Sequence, residues 1–120
     1  MDFNSGKPIY LQIADYIKAQ IMAGEYGAGE KIPSVRELSM ILQVNPNTVC
    51  KALVQLEDEG LIVTERTNGK FVTTSDVILQ KEKEKKIRRI TECFVEQLES
   101  IGVKKQDIEN VLISYLKEIK

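Results

Sequence analysis

Four isoleucines, Ile9, Ile13, Ile17 and Ile21, recur every fourth position between residue 8 and about residue 23, the period of one helical face. Pro8 suits the first turn of that helix and Gly24 its end. Residues 25–32 contain Gly27 and Gly29 and show no period, which predicts a loop. In Ser34-Val35-Arg36-Glu37 a serine stands three residues before a glutamate, the reciprocal capping arrangement, and Val35, Leu38 and Ile41 or Leu42 follow as a short apolar stripe. A second helix is therefore expected over about residues 35–42. After Gln43-Val44 comes a further start signal, with Asn45 as cap and Pro46 at the first helical position. Val49, Ala52, Leu53 and Leu56 then share one face of a third helix running to about Glu59, with Gly60 as its stop. Residues 61–64 and 71–73 are β-prone and flank a turn containing Asn68-Gly69, which predicts a hairpin.

From Asp76 the pattern changes. Residues 81–86 alternate lysine and glutamate before ending in two lysines, a solvated stretch of helix that holds two heads apart; the rival is a second DNA contact through Lys85, Lys86, Arg88 and Arg89. Beyond it Ile87, Ile90, Phe94, Leu98 and Ile101 are spaced by three and four, the seam of a long fourth helix ended by Gly102. Ile108, Val111, Leu112, Tyr115 and Ile119 outline a fifth. The predicted fold class is mainly α with a small β-hairpin wing: a winged helix-turn-helix domain over residues 1–75, then a two-helix tail over residues 76–120. Two helices alone rarely bury enough surface to stand unaided, so those ten apolar residues are expected to form a homodimer interface. The alternative is that the tail folds back on its own head.

Composition narrows the function. The chain has 120 residues, 42% of them hydrophobic, and a formal net charge of −1, which suits one modest core with an appendage. The first residues do not resemble a signal peptide and no apolar run approaches a membrane span, so a cytoplasmic, non-membrane protein is expected. Cys50 and Cys93 fall on separate predicted helices and fit no zinc spacing, so they read as free thiols and no metal site is expected. Histidine and tryptophan are absent, and no pair of carboxylates or lysines stands at a catalytic spacing. No catalytic residue, no enzyme activity and no cofactor are predicted. Residues 1–75 carry seven cations against nine carboxylates, a net −2, so contact with a polyanion must use a local patch.

Such a patch is present on the third helix. At about 100° per residue, Asn47, Lys51 and Val54 point away from the apolar face, flanked by Thr48 and Cys50, and no acid appears before Glu57. Asn47 suits a paired hydrogen bond to a base edge, Thr48 a phosphate or thymine methyl, and Lys51 a phosphate or guanine. Arg36 lies where the second helix would cross the DNA backbone. Free N–H groups at the starts of both helices, near the caps Ser34 and Asn45, are further phosphate sites. Arg66, Gly69 and Lys70 sit at the hairpin tip, where glycine admits a close backbone approach and the cations suit a minor groove. The predicted partner is double-stranded operator DNA, and the predicted role is transcriptional regulation. A winged-helix protein-interaction module is the rival, favoured by the acidic balance and the outward Val54.

The ordered set Ile32-Pro33-Ser34-Val35-Arg36-Glu37-Leu38-Ser39, Val44-Asn45-Pro46-Asn47-Thr48-Val49, Ala52-Leu53 through Leu56 to Glu59-Gly60-Leu61-Ile62, and Gly69-Lys70-Phe71-Val72 resembles the GntR family of bacterial winged-helix repressors. With Pro8-Ile9-Tyr10-Leu11-Gln12-Ile13 the resemblance covers about residues 7–73. It implies operator binding as a dimer, with Ser34, Arg36, residues 45–51 and the Gly69 wing on DNA. Many members have an acid where Val35 stands and arginines where Pro46 and Cys50 stand, which shifts the expected contact toward Arg36, Lys51 and the wing. The short tail is similar to the YtrA-like subgroup, in which it serves dimerisation. The expected mechanism is repression at a palindromic site. A small-molecule effector is left open as a further partner, with Cys93, Phe94 and Tyr115 as candidate contacts that serve equally well as plain core residues.

Overall fold

A computed structural model describes residues 3–119. The elements in order are α1 (Ile9–Met22), α2 (Val35–Leu42), α3 (Pro46–Asp58), β1 (Ile62–Glu65), β2 (Gly69–Val72), α4 (Asp76–Ser100) and α5 (Lys105–Glu118). Two compact units divide the chain at Lys81 and Glu82. No helix among the described residues is long and apolar enough to cross a membrane.

The first unit is the head, and α3 is its centre, packed on α1, on α2 and on β1. Val49, Ala52, Leu53 and Leu56 of α3 meet Ile13, Ala14, Ile17 and Ile21 of α1, Leu38 and Leu42 of α2, and Leu61, Ile62 and Val72 of the hairpin in one buried cluster. Ile9 is not part of it and is 46% exposed. A strict four-residue spacing drifts by about 40° at each step of a 3.6-residue helix, so the isoleucine row rotates off the core, and Ala14 and half-buried Tyr10 pack there instead. On α2 the same test separates two neighbours: Leu42 is buried, and Ile41 faces out. Pro8 caps α1 rather than entering it. Gln12, buried on α1, donates to the carbonyls of Asn4 and Lys7, each at 2.8 Å, and accepts from Asn4 N–H, tying down the chain that leads into the helix.

Helix α3 ends where Gly60, at φ +79°, lets the chain turn back: Leu61 N–H reaches the Leu56 carbonyl at 3.0 Å and Gly60 N–H reaches that of Glu57. The hairpin pairs Ile62 with Val72 and Glu65 with Gly69, leaving Arg66, Thr67 and Asn68 as a three-residue turn. The turn expected around Asn68-Gly69 therefore lies one residue earlier, because Gly69 opens β2 as the ladder partner of Glu65. The expected loop over residues 25–32 also holds structure. Gly29 N–H donates to Val72, Val72 N–H to Glu30, and Ile32 N–H to Lys70, so residues 29–32 line the outer edge of β2 and occupy groups that would otherwise lie open. Ser75 starts α4, accepting from Ile78 N–H, and Ile78 and Leu79 pack on the head core, so the head includes the first turn of α4.

The second unit holds the rest of α4 and α5. Neither helix contains a buried residue. Ile87, Ile90, Ile101, Val111, Leu112, Tyr115 and Ile119 are exposed, while Phe94, Leu98 and Ile108 are half-buried. Ile113 and Leu116, outside the predicted seam, are exposed as well.

Candidate nucleic-acid interface

Ser34 begins α2 through the expected capping box: its Oγ accepts from Glu37 N–H at 3.1 Å while Ser34 N–H donates to the Glu37 carboxylate. The Ser34 N–H donated to it, and then the Ser34 hydroxyl, hold the Glu37 carboxyl below its ordinary value, with Lys31 adding a smaller electrostatic contribution. The N–H groups of Val35 and Arg36, one position inside the box, have no partner among the described residues. Helix α2 closes at Gln43, which adopts a left-handed conformation, and Ser39 spans the turn by donating to the Val44 carbonyl at 2.5 Å and accepting Val44 N–H on its own carbonyl. This local bridge makes the three-residue connection tight.

At α3 the amides are used up. Asn45 Oδ1 accepts from Asn47 N–H at 2.8 Å, Pro46 has no N–H, and Thr48 N–H bonds to the Asn45 carbonyl at 3.0 Å. The expectation of free donors at both helix starts therefore holds for α2 alone. What α3 presents is side chains: Asn47, Cys50, Lys51 and Val54 are exposed, with Thr48 half-buried beside them. Lys51 extends over the Tyr10 ring of α1, its Nζ 5.3 Å from the ring centroid, which steadies the cation without neutralising it.

Pairing sorts the seven cations of residues 1–75. Lys7 pairs with Asp15, Lys18 with Glu59 at 2.5 Å, and Lys70 with Glu57. Lys70 also donates to Thr64 Oγ1 at 2.8 Å, and Thr64 donates to the same Glu57 carboxylate at 2.6 Å, which clasps the wing to α3. Both donors hold the Glu57 carboxyl below its ordinary value. Lys31, Arg36, Lys51 and Arg66 have no carboxylate partner among the described residues. The net charge of −2 thus hides four uncompensated cations, located beside the wing, at the start of α2, on the outward face of α3 and at the hairpin tip.

Sequence reasoning found Arg36, Lys51 and Arg66 but missed Lys31, Tyr10, Glu57 and Thr64. Lys31 stands immediately before buried Ile32 at the edge of β2, an alternation of outward and inward positions that the two nearby glycines conceal. Asn68 donates to Glu65 at the turn, and Gly69 is exposed with φ +106°. Cys50 and Cys93 are both free thiols, and no metal-binding cluster exists among the described residues.

A two-helix motif with an outward polar helix face, a wing clasped to that helix and four unpaired cations around them defines a winged helix-turn-helix DNA-binding protein. A model described as "Bacterial regulatory proteins, gntR family" matches residues 9–72. The chain is 39% identical over 106 residues to the uncharacterized HTH-type transcriptional regulator YhcF of Bacillus subtilis, covering 88% of each chain. It is 45% identical over 73 residues to the HTH-type transcriptional repressor YtrA of the same organism, covering 61% of this chain and 56% of YtrA. Among solved structures, a GntR family transcriptional regulator from Listeria monocytogenes superposes with a TM-score of 0.83 at 35% identity, over 98% of this chain and 100% of that one. The DNA-binding domain of AraR in complex with operator ORX1 matches at a TM-score of 0.56 and 27% identity, over 61% and 93%. The chain belongs to the GntR family and is a DNA-binding transcriptional regulator, not an enzyme.

Proposed function

We propose that this regulator is a homodimeric repressor that places two copies of α3 in successive major grooves of a palindromic operator. The observation that carries the reading is the tail: α4 and α5 bury none of their residues, yet present a row of large apolar side chains from Ile87 to Ile119. A unit of under about 40 residues cannot stabilise itself in that state, and a second copy supplies the missing core. YtrA is named a repressor and the AraR domain is bound to an operator, which supports the direction of regulation and the target.

On each half-site Arg36, Lys51 and Arg66 meet phosphates or guanine, Asn47 reads a base edge, and Thr48 makes a neighbouring contact. Ser34, Asn45 and Gly69 bring the backbone close to the duplex. The domain boundary we adopt for this mechanism lies near residue 76, with the tail acting as the dimerisation region. A small-molecule effector fits the same scheme if it binds the tail and alters the pairing of the heads.

The test is footprinting of the chain on a duplex that it selects from a random-sequence pool. Two protected half-sites are expected, separated by about one helical turn or a multiple of it, with Arg36→Ala and Lys51→Ala each lowering affinity. A single protected half-site would rule out the dimeric arrangement.

A further inference from the structure

We propose that Lys31, rather than Lys70, supplies the cation with which the wing side of the head meets the DNA backbone, and that it does so from the space left open over Gly69. The inference deepens the operator-binding reading above and rests on it.

Lys70 is committed elsewhere. Its ammonium group is bound to the Glu57 carboxylate and to Thr64, joining β2, β1 and α3. Moving it to a phosphate would strand a carboxylate whose side chain is only 31% exposed, next to a polyanion. The pair contributes almost no net charge to the surface. Its role is to hold the wing at a set position on α3, and Lys70 is a positioning residue.

Lys31 is exposed, has no carboxylate partner among the described residues, and stands on fixed backbone. Ile32 N–H donates to the Lys70 carbonyl and Lys31 bridges Phe71, so the residue is anchored along β2. From there its side chain lies over Gly69. A Cβ at residue 69 would come within 2.9 Å of Lys31 Cε and 3.6 Å of its Nζ, so a side chain there would displace the flexible end of the lysine. Gly69, which its φ of +106° favours in any case, leaves open the space in which the ammonium group lies against the wing.

The same ammonium also acts weakly on Glu37 in the first turn of α2, so it is within electrostatic range of that helix start. Arg36 and the free N–H groups of Val35 and Arg36 are at that start. A phosphate there would meet Lys31 together with donors already oriented by the capping box. Lys31 is thus an unpaired cation that lies against the wing and within electrostatic range of the first turn of α2.

The experiment is a salt titration of binding by the 120-residue chain, using the duplex it selects from a random-sequence pool. Lys31→Ala is expected to flatten the plot of log affinity against log salt by about one unit, the signature of one lost phosphate contact, and Lys31→Arg to restore it. Glu57→Gln combined with Lys70→Gln leaves net charge unchanged and is expected to leave the slope unchanged. Gly69→Ala is expected to weaken binding in the wild-type background and much less when Lys31 is already alanine, since strain from φ +106° is common to both and cancels. An unaltered slope in Lys31→Ala, with Arg36→Ala still flattening it, would overturn the inference and spare the reading beneath it. A full unit lost in the Glu57/Lys70 double variant would overturn the reassignment of Lys70. Unaltered slopes in Lys31→Ala, Arg36→Ala and Lys51→Ala together would overturn both the inference and the operator-binding face.

Discussion

Gln43 is the sole non-glycine residue with positive φ among those described, at φ 55° and ψ 50°, and it is the residue that turns α2 into α3. A left-handed conformation costs an ordinary L-residue about 1 kcal/mol, and a β-branched residue more. Gln43→Gly is expected to hold or raise stability, by up to about 1 kcal/mol after the added chain entropy of glycine is counted. Gln43→Val is expected to lower it by more than that. Urea unfolding of the two variants checks the prediction, and a more stable valine variant would show that the turn relaxes into another conformation. Residue-scale features of this kind divide by the range of their cause. The caps Ser34 and Asn45 and the outward face holding Asn47 and Lys51 were legible because they depend on neighbours within one turn. The roles of Tyr10 under Lys51, of Glu57 with Lys70 and of Lys31 over Gly69 depend on contacts between distant elements. No local pattern marks them. Gln43 itself was readable only as part of a short connection, since glutamine gives no hint of positive φ.

At the scale of elements, all five helices were legible because an apolar period marks each, reinforced by side-chain caps at α2 and α3. The hairpin was legible as an element but not in register: Gly69 pairs with Glu65 inside the ladder, and only strand pairing decides that. Residues 29–32 escaped notice for the same reason, since an edge segment of four residues with a glycine has no period to read. The clasp between α3 and the wing lends itself to a pH test. Glu57 lies below its ordinary value of 4.5 because Lys70 and Thr64 donate to its carboxylate. A depressed folded-state value means the contribution is complete above the ordinary glutamate range and is lost as pH falls through the folded value. The pair is partly exposed, so it is worth a few tenths to about 1 kcal/mol. Glu57→Gln is expected to lower stability by that amount at neutral pH and to converge with the wild type in acid below the ordinary value. Thermal unfolding across pH reads the difference directly, and a gap that persists unchanged in acid would assign it to something other than the ionised carboxylate.

At the scale of the whole molecule, the proposed dimer bears on how four unpaired cations on each head would hold an operator when the chain as a whole carries a net charge of −1. One half-site contact of this size depends strongly on salt and holds weakly. Joining two heads converts the second contact into an intramolecular event, which raises affinity by about 10²–10⁴-fold without a new contact when the spacing fits. The tail has the features that such a joint requires. Ile87, Ile90, Phe94, Leu98 and Ile101 occupy a narrow arc of α4, the stripe of a helix that meets another helix, and α5 repeats the arrangement through Ile108, Val111, Leu112, Tyr115 and Ile119. Exposed Ile113 and Leu116 widen the apolar surface of α5 beyond that seam. Introducing Ile90→Asp with Leu112→Asp puts a charge into each stripe while touching no buried residue of the head. Sedimentation is expected to show a monomer, full-site affinity to fall by about 10²–10⁴-fold, and affinity for an isolated half-site to stay at the wild-type value. The last measurement separates a lost dimer from a damaged head. A variant that remains dimeric at wild-type affinity would place the joint between heads somewhere other than this seam.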